Sequence, residues 1–331
     1  MSAYGIARDA GRYGFALGKV RVLEARLLSG STYERLVDAP SFAEQMRVLS
    51  DTPYGRYLEG AQTADAVEDG LEVAIDDTYR FLDEAGLPSA VVRFFRVQHD
   101  FDNLRAVLKA RLLGAPLDHL LSDLGTVSAE TVADPESELP PFLSRVVELL
   151  SGGDDDGALS ADRIDIEVER AMFAEMEVCA REAGTRALKD LAAVAVDVAN
   201  ARVALRALRR NAPRETVAGL LIEGGSIATA DLLAAYDLPA IERIGALAAL
   251  TAGRDIDVAA LGDLASLDVT LDNVVVGRLR RARAVPLGSE PVIAYVMARE
   301  AEVIAVRMLL IGRLANLSSE TLRARLRERY V

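Results

Sequence analysis

One helical pattern written three times limits what this chain can fold into more than any other feature. "DFDNLRAVLKAR" begins at Asp100, "DVANARVALRAL" at Asp197 and "EVIAVRMLLIGR" at Glu302. Asp197 lies 97 residues after Asp100, and Glu302 lies 202 after it. At these spacings Arg105 falls on Arg202 and Arg307, and Leu108 on Leu205 and Leu310. Asn103 falls on Asn200, with Ala305 in the third copy, and Asp118 falls on Glu215 and Glu320. Gly114 falls on Asn211 and Asn316, residue types that tolerate the left-handed backbone just past a helix end. A repeat held in register this far implies one supersecondary unit used three times.

Each copy predicts a helical hairpin. A first helix (64–84, 162–182, 268–285) meets a short Gly-containing turn, and a longer second helix follows (89–113, 186–210, 290–315). "EAG" stands at 84–86 and again at 182–184, and Gly86 corresponds to Gly288. The second helix carries an apolar stripe at helical period, Val97, Phe101, Leu104 and Leu108. Its counterparts are Val194, Val198, Ala201 and Leu205, then Arg299, Val303, Val306 and Leu310, so Arg299 interrupts the third stripe. "ADPESELPP" (133–141), "SGGDDDG" (151–157) and "EGGS" (223–226) are breaks between helices. "LDVTLDNVVV" (267–276) is the best strand candidate, and it reads better as the opening of a helix. The expected class is all-α, in three quasi-equivalent units at 1–114, 115–211 and 212–331.

Composition agrees and removes several functions. The chain is 51% hydrophobic and 27% charged with no Trp, a mixture that favours helix. A net charge of −13 repels nucleic acid and anionic lipid. Cys179 is the only cysteine, which rules out an internal disulfide and a CxxC metal site and fits a reducing, cytosolic setting. "MSAYGIARDAGRYGF" lacks the apolar core of a signal peptide, and no window reaches the ~18 apolar residues of a spanning helix.

No residue set assembles a catalytic centre. Counting Asp154 as the first position of a calcium loop puts Leu159 sixth and Asp165 twelfth, where Gly and Glu are required, so Asp154, Asp155 and Asp156 read as a solvated linker. "DDTYR" (76–80) is no convincing partner for a magnesium site, and "EGGS" lacks phosphate-loop spacing. His99 and His119 read as core-border residues, and Cys179 as a small packing residue. No cofactor is expected. The recurring polar residues instead flank the apolar stripe: Asp100 and Asn103 on one border, Arg105 on the other. With Asp197, Asn200 and Arg202, then Glu302 and Arg307, they suggest acid–arginine contacts stitching each unit to the next. Arg111, Arg209, Arg210 and Arg313 end these helices at comparable rims and are expected near partner interfaces.

With these residues in view, the chain resembles the central-stalk C subunits of archaeal and bacterial A/V-type rotary ATPases, relatives of the d subunit of eukaryotic V-ATPases. The resemblance covers nearly the whole chain. It rests on "YGFALGKVRVLEARLL…YERLVDAPSFAEQMRVLSDTPYG" (13–55), on the three recurring helices, and on Tyr295, Val296, Arg299, Glu300 and Glu302 of the closing pattern. Ala199 stands where the family often has an acid. The resemblance implies a funnel of three helical units about a pseudo-threefold axis, with no active site. It further implies a single, monomeric copy on the cytoplasmic side of the membrane, receiving the central shaft of D and F subunits and resting on the proteolipid rotor ring. The competing readings are a free-standing helical scaffold and, behind it, an all-α metal-dependent enzyme.

Overall fold

A computed structural model describes residues 3–117, 120–152, 159–239, 242, 246, 264–328 and 330. Among them fourteen α-helices and no strand are found. In chain order they are α1 (Ala3–Glu24), α2 (Gly30–Asp38), α3 (Phe42–Ser50), α4 (Ala64–Glu84), α5 (Ser89–Leu113), α6 (Ala129–Ala133) and α7 (Pro141–Ser151). There follow α8 (Ala161–Ala183), α9 (Arg186–Arg209), α10 (Arg214–Leu220), α11 (Thr229–Tyr236), α12 (Leu264–Arg283), α13 (Glu290–Leu314) and α14 (Ser319–Arg325). The predicted first helices are α4, α8 and α12, and the second helices are α5, α9 and α13. The segment "LDVTLDNVVV" lies inside α12.

The helix ends are written locally. Ser29, Ser128 and Ser318 each accept the N–H of a threonine three residues on, so α2, α6 and α14 start on side-chain caps. At the other ends, Gly114, Asn211 and Asn316 take φ of 62°, 49° and 59°, the left-handed stop expected at all three copies. The next residue then folds back: Ala115 N–H donates to Ala110 O at 2.9 Å, Ala212 to Ala207 at 3.0 Å and Leu317 to Gly312 at 2.9 Å. Three second helices therefore end in one and the same hydrogen-bonded turn.

The chain forms two compact units, one of Pro88–Ala192 and one of Met1–Leu87 with Ala193–Val331. In the first, α5 runs antiparallel to α8, with α6 and α7 packed beside them. In the second, α13 packs along α4, with Phe81 edge-on to Tyr295 at 6.2 Å. Also in the second unit, Leu271 of α12 shares a buried cluster with Val194, Val198, Ala201 and Leu205 of α9. One rule covers all three pairings: each second helix lies against the first helix of the following copy, and the third returns to the first.

Candidate functional site

The recurring acids hold loops. In α5, Asp100 and Asn103 lie one turn apart on a buried face. Asn103 donates its amide to Ser122 O at 2.7 Å and accepts Ser122 N–H at 2.9 Å. Asp100 accepts Thr126 N–H at 2.8 Å, Thr126 Oγ1–H at 2.6 Å and Val127 N–H at 2.9 Å. Burial pushes the Asp100 carboxyl up, and the Thr126 and Val127 donors oppose it. The loop comes this close because residue 125 is glycine, where a Cβ would overlap Asp100 Oδ1.

α9 repeats the joint. Asn200 clasps Ile222 through O at 2.7 Å and N at 2.8 Å. Asp197 accepts Ser226 Oγ–H, and Ile227 N–H at 2.9 Å. Gly225 stands where Gly125 does, with Asp197 in the path of any Cβ. Sequence reasoning missed this loop, although "GTV" at 125 and "GSI" at 225 lie 100 residues apart and were the available signal.

In the third copy Glu302 takes its loop from the other side of the sequence. It accepts Leu28 N–H at 2.5 Å, just before α2 begins, as Val127 and Ile227 precede α6 and α11. Tyr54 O–H donates to Glu302 Oε1 at 3.0 Å, and Arg299 donates to the same oxygen at 2.7 Å. Arg299 also reaches Tyr54 Oη at 2.9 Å and lies 4.9 Å from the centre of its ring. Arg299 and Glu302 are only 7% and 5% exposed, which makes their pairing obligatory. Burial pushes Glu302 up, and Arg299 opposes it. The residue that interrupts the third apolar stripe is thus the buried counter-charge of the third acid.

The arginines on the opposite border meet acids, though not the recurring ones expected from the sequence. Arg105 lies 3.5 Å from Asp165 of α8, with Lys109 at 2.7 Å from the same carboxylate. Arg202 pairs with Asp272 of α12, and Arg307 with Glu68 of α4 at 2.6 Å. Asp165 falls 97 residues after Glu68, as Arg202 does after Arg105, while Asp272 stands two residues off the 202 spacing. Asp100, Asp197 and Glu302 lie on the other border of the stripe, where loop amides and hydroxyls, and for Glu302 also Arg299, take up their oxygens. The three bridges are half-exposed, worth up to about 1 kcal/mol each. They register the helices, while the buried joints supply the larger energies.

Beside the third joint, Glu300 accepts Tyr79 O–H at 2.6 Å, and burial pushes its carboxyl to about 7 from 4.5. Because the folded value is the higher one, the protonated form is favoured in the fold. Its contribution is complete below pH 4.5 and is lost as pH rises through 7. Glu300 keeps part of its surface open, so about 3 kcal/mol is an upper bound. Glu300→Gln is expected to raise the thermal midpoint at pH 8 and leave it unchanged at pH 4. Equal shifts at both values would refute this.

Of the rim arginines, Arg313 turns inward, donating to Val37 O at 2.8 Å and Leu317 O at 3.1 Å. Arg111 donates to Ala133 O at 2.9 Å while remaining exposed, and Arg209 and Arg210 are exposed. Cys179 is buried and receives Arg93 Nε–H at 3.1 Å, and His99 is half-buried. His119, Asp118 and Asp154 to Asp156 lie outside the described residues. Among the described residues no group of three His, Cys, Asp or Glu side chains could hold a metal ion, and no helix is long and apolar enough to cross a membrane.

Fold and joints together define an all-α protein that uses one helix-and-loop module repeatedly. The family described as ATP synthase (C/AC39) subunit matches residues 16–325, and the chain belongs to it, the C subunits of A/V-type ATP synthases. The C subunit of the A-type ATP synthase of Thermococcus gammatolerans is 24% identical over 322 residues, covering 92% of this chain and 87% of its own. The C subunit of the V-type ATP synthase of Thermus thermophilus is 26% identical, covering 90% and 93%. The C subunit of the V-type sodium ATPase of Enterococcus hirae is 22% identical, covering 94% and 97%.

Proposed function

We propose that this chain is the non-catalytic central-stalk subunit of a rotary A/V-type ATPase. It acts as a socket and spacer between the shaft of D and F subunits and the proteolipid ring. Torque passes through it between ATP hydrolysis or synthesis and ion movement, and one copy sits peripherally on the cytoplasmic face of the membrane. The carrying observation is the family match over residues 16–325. The repeated joints support the mechanical part of this reading. The reading includes a funnel-like arrangement of the units 1–114, 115–211 and 212–331 about a pseudo-threefold axis, as the family resemblance implies. A part that transmits torque must not yield between its segments, and buried charge-assisted hydrogen bonds at each joint resist that.

The test is to tag the protein, solubilise membranes gently and identify its companions. Shaft and ring proteins in stoichiometric yield are expected. Recovery of the chain alone, or with unrelated proteins, would replace this reading with that of a free-standing scaffold. Reversing the exposed rim arginines Arg111, Arg209 and Arg210 together should weaken the association at moderate salt, Arg313 being left in place because it holds Val37 O and Leu317 O. Unchanged recovery would remove the rims from the interface.

A further inference from the structure

Helix α1 is apolar on two faces, and the fold covers only one. Tyr13, Ala16, Leu17 and Val20 point inward and are buried. On the other side Gly11, Gly14, Phe15, Gly18, Lys19, Val22 and Arg26 are exposed. Phe15 and Val22, large side chains that a solvated helix face rarely carries together, are 63% and 59% exposed. They border an open groove of about 660 Å³ with Gly14 and Gly18 on its floor and Phe81 of α4 at one wall. A Cβ at either glycine would meet nothing within 4 Å, so the backbone is bare to an approaching element. Glycines four apart are what lets a second helix come close.

Charge narrows the occupant. Lys19 and Arg26 both line the groove, and among the described residues neither has a carboxylate within ion-pair distance. Arg21 of the same helix, by contrast, is paired with Glu24 at 3.0 Å. Lys19 Nζ sits over the Phe15 ring at 4.8 Å and the Phe81 ring at 5.9 Å, held at the groove edge by the aromatic faces. Lys19 lies on α1 beside the two glycines, and Arg26 lies in the turn just past the helix end at Glu24, so the groove carries one cation on its helix wall and one at its rim.

We propose that this face of α1 seats one α-helix of another protein in the same complex. That helix presents small and apolar side chains to Gly14 and Gly18, and a pair of carboxylates to Lys19 and Arg26. The proposal rests on the rotary-ATPase reading above for the existence of the complex and adds the place and chemistry of one contact.

Two experiments on the full chain in the assembled complex test it. With p-benzoylphenylalanine at position 15, ultraviolet crosslinking should give an adduct to a helical segment of a different protein, one carrying a pair of acids. An adduct to lipid, to a second copy of this chain, or to a segment without that acid pair would overturn the proposal, as would no adduct. In the second, Gly14→Leu with Gly18→Leu should leave the thermal midpoint of the isolated protein unchanged or higher, because nothing occupies the space. The same pair should weaken incorporation into the complex at least tenfold, and unchanged incorporation would overturn the proposal. Full co-purification with shaft and ring but no adduct at position 15 sinks the groove and leaves the rotary reading standing. A chain that never joins the complex sinks both.

Discussion

Glu302→Gln is expected to destabilise the fold by about 3–5 kcal/mol, the usual cost of removing one charge from a buried pair. Glutamine keeps the shape but only one acceptor oxygen, so it can serve either Leu28 N–H or the Tyr54 and Arg299 donors, and its NH2 group faces a donor at the other position. What is lost is the anion facing Arg299, which then remains as an uncompensated cation in a nearly closed site. The measurement is denaturant unfolding combined with hydrogen exchange at the Leu28 amide, which should open earliest. Adding Arg299→Met should recover part of the loss, because the stranded charge goes with it. A single-variant loss below about 1 kcal/mol would show that Arg299 finds another counter-charge and that the joint is weaker than its geometry indicates.

Asp100→Ala should also be damaging, at about 2–3 kcal/mol. It takes the charged acceptor from the amides of Thr126 and Val127 and from the Thr126 hydroxyl, and water recovers only part of the loss because Thr126 is exposed while Val127 is half-buried. The effect should fall on the compact unit Pro88–Ala192, read as faster exchange at residues 126 and 127 before global unfolding. Asp100→Asn is the control. Its carbonyl oxygen can keep both amides, and the threonine hydroxyl can rotate to accept from the new amide, so it should cost less than half as much. Equal losses for the two variants would place the stabilisation in the negative charge and not in the hydrogen bonds.

Most of the helical layout is legible in the sequence. The first hairpin, 64–84 and 89–113, coincides with α4 and α5, because Gly114 and the apolar period both mark its limits. The third first helix is expected four residues late, at 268, although Asp263, a residue type favoured before a helix start, precedes "LASL", which opens α12. The same residues draw attention in sequence and structure, but their partners are hidden. Asp100 faces a loop 26 residues on, and Glu302 an amide 274 residues away. Helical periodicity assigns a face and says nothing about which distant backbone meets it. Arg299 illustrates the limit best. Its break in the stripe is visible, yet its meaning requires Tyr54, a residue no local pattern connects to it.

The third joint also sets an order of events during synthesis. Residues 88–192 contain both helices and the loop of one module, so they can close as soon as they leave the ribosome. Leu28 must wait for Glu302, made 274 residues later, roughly 15–55 s at ordinary elongation rates. Until then the surface of α4 that receives Tyr295 and Glu300 has no cover, and Phe81 and Tyr79 lie bare. The nascent chain therefore carries an unfinished apolar seam for most of its translation, and this interval is when a chaperone is most needed.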